Sequence, residues 1–178
     1  KLYLKKKFGK EIAFVEKKEN INRFNKIKYI FLTVKPKDLN SLFNYNFLVN
    51  RNSIIFSVLA GKHVKDIKNS FVSCQNIFRL MLNTPISINE GTVVYFSEKN
   101  LKNTKDLFLL SLIGKTFELK SEKFFDLLTA IVGSGPAYFY YILEIMQNIS
   151  IKSKMDQKLA IEIIKNTFYG TAKILMTQ

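Results

Sequence analysis

Tyr29–Val34, YIFLTV, is a short unbroken run of apolar and β-branched residues that stops at Lys35-Pro36 and gives way to the amphipathic stretch Asp38–Leu48. A run this short without polar alternation reads as a strand buried on both faces, and the residue before a proline is held extended. The stretch after it predicts a helix. Ser53–Leu59, SIIFSVL, repeats the pattern and stops at Ala60-Gly61, and Ile77–Met81, IFRLM, leads into the turn Asn83-Thr84-Pro85. Three such runs separated by helix-length segments predict β-α-β-α-β with parallel strands and right-handed crossovers, a plan in which ligands lie at the carboxyl ends of the strands. Taken singly, Lys35 reads as a solvated side chain, Ala60-Gly61 as a plain turn and Asn83 as the start of an Asx-turn. Their succession along one edge is what marks a candidate binding edge.

Upstream, residues 1–27 are charged and weakly periodic, with Phe8, Ile12, Val15, Ile21 and Phe24 able to line one side of short helices. Downstream, Thr92–Phe96 predicts a further strand, Asn103–Ile113 a helix closed by Gly114, and Thr116–Leu119 a short strand. Ser121 is placed to cap a helix from Glu122 to Ile131 or Val132. The stretch Ala130–Tyr141, AIVGSGPAYFYY, then reads as a glycine turn passing into a helix. Pro136 suits a first helical position, and Gly133 and Gly135 let another group approach the backbone, whose free N–H groups attract anions or carbonyl oxygens. From there the chain is helical, with one helix over Ala137–Ile149 and a second, capped by Asp156, running to about Met176. Leu159, Ile163, Ile164, Phe168, Ala172 and Leu175 form one broad stripe on that last helix, facing either its own domain or a partner chain.

The chain has 178 residues, 47% of them hydrophobic, with sixteen Phe, which is enough to bury a core. Its net charge of +14 comes almost entirely from Lys, since Arg occurs only at 23, 51 and 79. Lys spread along the whole chain beside abundant Asn, Ile, Phe and Tyr reads as a dispersed solvated surface; nucleic-acid recognition would favour clustered Arg. Cys74 is the one cysteine and His63 the one histidine. No internal disulfide is possible, and no clustered ligand set points to a metal site. Cys74 reads as a small buried residue and His63 as a surface residue of a loop. Charged residues interrupt every apolar run before membrane-spanning length, and the opening KLYLKKKFGK lacks the apolar centre of a signal peptide, so a cytoplasmic protein is expected.

The succession IFLTVKPKDL, SIIFSVLAG, IFRLMLNTPISINEG, TAIVGSGPAYFYYILE and AIEIIKNTFYGTAKIL resembles pyrroline-5-carboxylate reductase in order, spacing and wording, from about Tyr29 to Gln178. The NTP turn and GSGPAY are its most specific parts, and residues 1–28 have only a loose counterpart. The resemblance implies an α/β fold: a partial Rossmann-type parallel sheet over residues 1–120, followed by a truncated all-helical substrate and dimerisation domain over 121–178. It implies reduction of L-1-pyrroline-5-carboxylate to L-proline with NADPH or NADH. Thr33, Val34, Lys35 and Pro36 would border the nucleotide, Val58, Leu59, Ala60 and Gly61 would lie along its ribose and nicotinamide side, and Asn83 with Pro85 would shape the same cleft. Gly133, Ser134, Gly135 and Pro136 would bring the second domain's helix start to the nicotinamide and substrate. The final helices would pair chains into a homodimer or a larger homo-oligomer. No catalytic acid or base is identified, which suits a protonated cyclic imine that needs chiefly to be held against the hydride donor.

The sequence departs from that family in three places. Leu82 replaces the first proline of the usual Met-Pro-Asn-Thr-Pro, no GxGxxG occurs, and the chain stops at Gln178 before the family's Ser-Pro-Gly-Gly-Thr loop. The expectation is therefore an internal portion of a reductase, inactive alone. A related imine or β-hydroxyacid reductase, a non-catalytic oligomer-forming relic, and a nucleic-acid-binding protein stand as alternatives in that order.

Overall fold

The structure, a computed structural model, describes residues 27–99 and 104–178. Phe8, Ile12, Val15, Ile21 and Phe24, and the helix start expected at Asn103, lie outside the described residues. Strands β1 (Tyr29–Leu32), β2 (Ile54–Ser57), β3 (Asn76–Leu82), β4 (Gly91–Phe96) and β5 (Gly114–Glu118) form one sheet in the order β1-β2-β3-β4-β5. The β1–β2 and β2–β3 pairs are parallel, with Phe31 opposite Phe56 and Phe56 opposite Phe78. The three apolar runs are thus the parallel strands that their pattern predicts, and the fold is the expected partial Rossmann-type sheet followed by helices.

The chain divides into two compact units. Among the described residues, the first takes 27–80, 95–99, 104–105 and Glu118–Glu122; the second takes Met81–Val94, Asp106–Phe117 and Lys123–Gln178. In the first unit, Ile55, Phe56, Ile67, Ile77 and Phe78 are almost wholly buried. Because parallel register keeps like positions side by side, an aromatic ladder crosses β1 to β3, Phe31–Phe56 at 4.9 Å and Phe56–Phe78 at 5.2 Å between ring centroids, and Tyr95 of β4 continues it 5.9 Å from Phe78. Each buried ring contributes about 2 kcal/mol through its removal from water.

The stretch after β1 winds differently from the expected α-helix. Pro36–Leu48 is a 3-10 segment. Its Asn, Tyr and Phe content gives little α-helical preference, and tertiary bonds decide instead, as where the Asn46 amide donates to the Ser70 carbonyl at 2.7 Å. Helix α1 (Val64–Ser70) then returns the chain to β3. Helix α2 (Thr104–Ser111) ends before Gly114, which opens β5 instead of closing that helix. A Cβ on Gly114 would run into the backbone of Gly91, so glycine is required there by the close approach of the neighbouring strand's backbone, not by helix capping.

The second unit is chiefly helical. Glu122–Phe124 is a 3-10 turn that leads into α3 (Phe125–Leu128), a π turn over Thr129–Gly133, α4 (Gly135–Lys152) and α5 (Gln157–Thr177). The single helix expected from Glu122 to Val132 is therefore three kinds of winding in succession. Asp156 caps α5 as expected, accepting from Leu159 N–H at 2.9 Å. The stripe on α5 splits: Ala160 and Ile164 are buried and Phe168 meets Phe139 of α4 edge-on at 5.5 Å, while Leu159, Ile163 and Leu175 are exposed.

Candidate functional site

In the first unit the ends of β1 and β2 leave the sheet together. Val58 N–H donates to the Leu32 carbonyl at 3.2 Å, tying the two strand ends. Thr33, Val34 and Lys35 are exposed just past β1, and Pro36 opens the 3-10 segment. After β2, Leu59 is buried and anchors the turn, whereas Ala60 and Gly61 are exposed. Gly61 has φ 68°, and nothing stands within 4 Å of where a Cβ would be, so the left-handed turn leaves bare backbone beside open space. Thr33 and Val34 also line an apolar hollow of about 250 Å³ with Ile30, Leu42 and Tyr45, which Lys35, Pro36 and Val58–Gly61 do not line.

At this same edge lies a charged cluster that the sequence reading missed. Arg79, buried in β3 opposite Ser57, donates from Nη1 to Glu122 Oε1 at 3.0 Å and stands 3.3 Å from His63 Nδ1. Glu122 also accepts from the Val64 N–H at 2.9 Å, and His63 Nδ1 lies 3.4 Å from its other oxygen. His63 is the N-cap of α1, with its own N–H donating to Asp66 Oδ2 at 2.8 Å. The imidazole is exposed as expected, yet it belongs to a cluster and not to a plain loop. The signal for it was a lone Arg inside the apolar run IFRLM, since an arginine buried in a strand needs a carboxylate partner.

In the second unit, a hollow of about 490 Å³ is lined by Asn83 and Pro85 from the turn after β3, by Thr92 of β4, and by Ile131, Val132, Gly135, Pro136, Phe139, Tyr140 and Phe168 from the helices. Asn83 and the GSGP segment, 50 residues apart in sequence, thus share one wall-to-wall space, with Gly135 and Pro136 on its lining and Gly133 and Ser134 outside it. The turn is internally bonded: Ile86 N–H donates to the Asn83 carbonyl at 3.3 Å and Glu90 N–H to the Pro85 carbonyl at 3.1 Å. Thr92 N–H donates to Asn83 Oδ1 at 2.8 Å. Thr92, Phe139 and Tyr140 are not marked as site residues by the sequence, and Phe168 is marked only as part of the α5 stripe; the Asn83–Thr92 bond reaches across a strand return and leaves no local pattern.

The GSG stretch corrects one expectation. Ser134 has helical dihedrals and its N–H donates to the Thr129 carbonyl at 3.0 Å, the bond of a π turn, so the chain enters α4 already helical and not from an open loop. Pro136 is the second residue of α4. A π turn at this point is a common mark of a functional site, because the extra residue re-aims the neighbouring backbone. Gly135 is buried, and a Cβ there would meet nothing within 4 Å. Among the described residues no group of His, Cys, Asp or Glu is arranged to hold a metal ion, and no helix is long and apolar enough to cross a membrane.

These features define a class, a Rossmann-type α/β sheet with bare backbone at its strand ends, continued by a helical unit that holds an apolar hollow. Comparison with known proteins makes the class particular. The family model for pyrroline-5-carboxylate reductase dimerisation matches residues 122–178. The chain is 29% identical to a pyrroline-5-carboxylate reductase of Haemophilus influenzae over 96% of its own length and 65% of the relative's. It is 34% identical to pyrroline-5-carboxylate reductase 1 of Bacillus subtilis over 83% of its length and 50% of the relative's. Among solved structures, its fold is similar to that of the 1-pyrroline-5-carboxylate reductase of Streptococcus pyogenes, with TM-score 0.77, 22% identity, and 99% of this chain and 68% of that one covered. The Plasmodium falciparum pyrroline carboxylate reductase, solved with NADP bound, gives TM-score 0.76 at 23% identity over 94% of this chain and 66% of that one. The chain is related in sequence and fold to the pyrroline-5-carboxylate reductases, and spans one half to two thirds of the curated relatives it matches.

Proposed function

We propose that the chain is part of a cytoplasmic pyrroline-5-carboxylate reductase, which reduces the C=N bond of L-1-pyrroline-5-carboxylate to give L-proline with NADPH or NADH. The observation that carries this reading is the shared hollow of the second unit: Asn83 and Pro85 of the NTP turn and Gly135 and Pro136 of the GSGP segment, the two most specific parts of the resemblance, line the same space. NAD(P)H, when bound, supplies the hydride. The hollow is large enough for a small planar ring, and its lining is mostly aromatic and aliphatic. Among the described residues no carboxylate, His or Lys stands on the lining, which suits a substrate that arrives as the protonated imine and gains a hydride at carbon without a proton step from the protein.

In this reading Thr33, Val34, Lys35 and Pro36, with Val58, Leu59, Ala60 and Gly61, hold the dinucleotide by backbone and apolar contact, joined by Asn83. The bare turn at Gly61 fits that task, since any side chain there would occupy space a flat ligand needs. Gly133, Ser134, Gly135 and Pro136 stand nearest the nicotinamide and substrate. Residues 1–120 then form the dinucleotide-binding part and 121–178 the helical substrate and dimerisation part, a division supported by a family match that begins at residue 122. The exposed helical faces make a homodimer or a larger homo-oligomer.

The complete gene product is expected to oxidise NADPH or NADH only when pyrroline-5-carboxylate is supplied. No oxidation under those conditions overturns the assignment. The 178-residue stretch alone is expected to bind dinucleotide poorly, because it contains no GxGxxG to cradle the pyrophosphate; micromolar binding by the stretch contradicts that expectation.

A further inference from the structure

Building on the reductase reading, we infer that Asn83 is the hydrogen-bond donor that fixes an acceptor oxygen of the ligand in the second unit's hollow, its amide locked in one orientation by Thr92. A side-chain amide ordinarily has two orientations that differ only by exchange of oxygen and nitrogen. Here the choice is forced. The group facing it 2.8 Å away is a backbone N–H, which can only donate, so the facing atom must be Oδ1. The NH₂ group is left as the free end. Among the described residues it makes no hydrogen bond, while Asn83 stands on the hollow's lining.

The other polar side chains there, Thr92 and Tyr140, carry hydroxyls that rotate to donate or accept. Asn83 alone is committed to donating. Its backbone is held as well, since the carbonyl accepts from Ile86 N–H and the turn closes through Glu90 N–H on Pro85. A donor fixed before the ligand arrives loses little entropy on binding and discriminates between acceptor and donor partners. The chemistry it recognises is a planar oxygen acceptor beside a small ring: the carboxamide oxygen of the nicotinamide or a carboxylate oxygen of the imino acid.

Asn83→Asp in the complete gene product separates this role from turn closure. Aspartate keeps the oxygen that Thr92 N–H requires and exchanges the donor for a second acceptor. The variant is expected to melt at the wild-type temperature or above it while binding at least one ligand about tenfold more weakly. NADPH is followed by its own fluorescence, and L-proline by its effect on protein fluorescence with NADP⁺ present. Weakened NADPH binding assigns the carboxamide; weakened L-proline binding alone assigns the carboxylate. Unchanged binding of both by a stable variant overturns the inference, as does a lowered melting temperature, which would mean that Thr92 N–H does not hold Oδ1. Wild-type protein that binds neither probe overturns the reductase reading and this inference with it.

Discussion

Arg79 and Glu122 show how one buried charge sets an asymmetry that mutation can read. The Arg79 side chain is 2% exposed and that of Glu122 20%, so the guanidinium depends on its carboxylate more than the carboxylate depends on it. Glu122→Ala removes the oxygen that faces Arg79 and the acceptor of Val64 N–H together, and is expected to cost about 3 kcal/mol in urea unfolding. Arg79→Met, which fills the same strand position with an apolar chain and leaves Glu122 bonded to Val64 and partly hydrated, is expected to cost much less. Equal losses would contradict the account. Cys74 supplies a second residue-scale test. Burial pushes its thiol above the ordinary 9.0, and the thiol donates to the Ser53 carbonyl at 3.3 Å. A raised acid favours the protonated form in the fold, so its contribution is complete below the unfolded thiol's pKa and is lost as pH rises toward the folded value. The thiol's contribution is expected to be constant from about pH 6 to 8 and then to fall by up to about 1.4 kcal/mol per pH unit as the unfolded thiol titrates, a fall that Cys74→Ala removes. Tyr95, also raised by burial and then by the nearby Glu118, extends the decline to higher pH.

At the scale of elements, α5 depends on its cap. Asp156→Ala leaves Leu159 N–H without its acceptor and is expected to cost about 1 kcal/mol, seen as a lower urea midpoint and loss of helical ellipticity near the chain's end. This cap was legible because an Asp before a periodic apolar stretch is a local signal. The parallel strands were legible for a similar reason, since YIFLTV, SIIFSVL and IFRLM each carry their pattern within a few residues. The 3-10 winding of Pro36–Leu48 was not, because Asn46 is held by the carbonyl of Ser70 from α1, a partner that no local window contains. Gly114 misled for a related reason: a glycine after a helix looks like a cap, whereas here it admits the backbone of Gly91. The π turn at Thr129–Gly133 is likewise set by one extra residue in a helical run, which leaves the apolar period almost unchanged. The candidate site divides along the same line. Asn83 and the GSGP segment were marked by wording, and the aromatic lining by Phe139, Tyr140 and Phe168 emerged only once helices α4 and α5 were paired.

At the scale of the whole molecule, two properties oppose each other. Tyr138, Tyr141, Ile142, Ile145 and Ile149 recur at three- and four-residue spacing on α4 and all are more than 40% exposed, an apolar stripe of the kind a second chain covers. Each copy also carries a formal charge of +14, so bringing two together costs Coulomb energy that salt relieves over about 10 Å at 0.1 M. If burial of the stripe drives pairing, sedimentation equilibrium should show association that tightens as salt is raised, because both the screening of charge and the salting-out of apolar surface act in that direction. Ile145→Glu at the middle of the stripe separates the two forces. It lowers the net positive charge, so charge repulsion alone predicts tighter pairing, whereas loss of apolar contact predicts dissociation with helicity kept. Dissociation is the expected result, and an Ile145→Glu variant that associates as well as the parent would show that the chains meet on another surface.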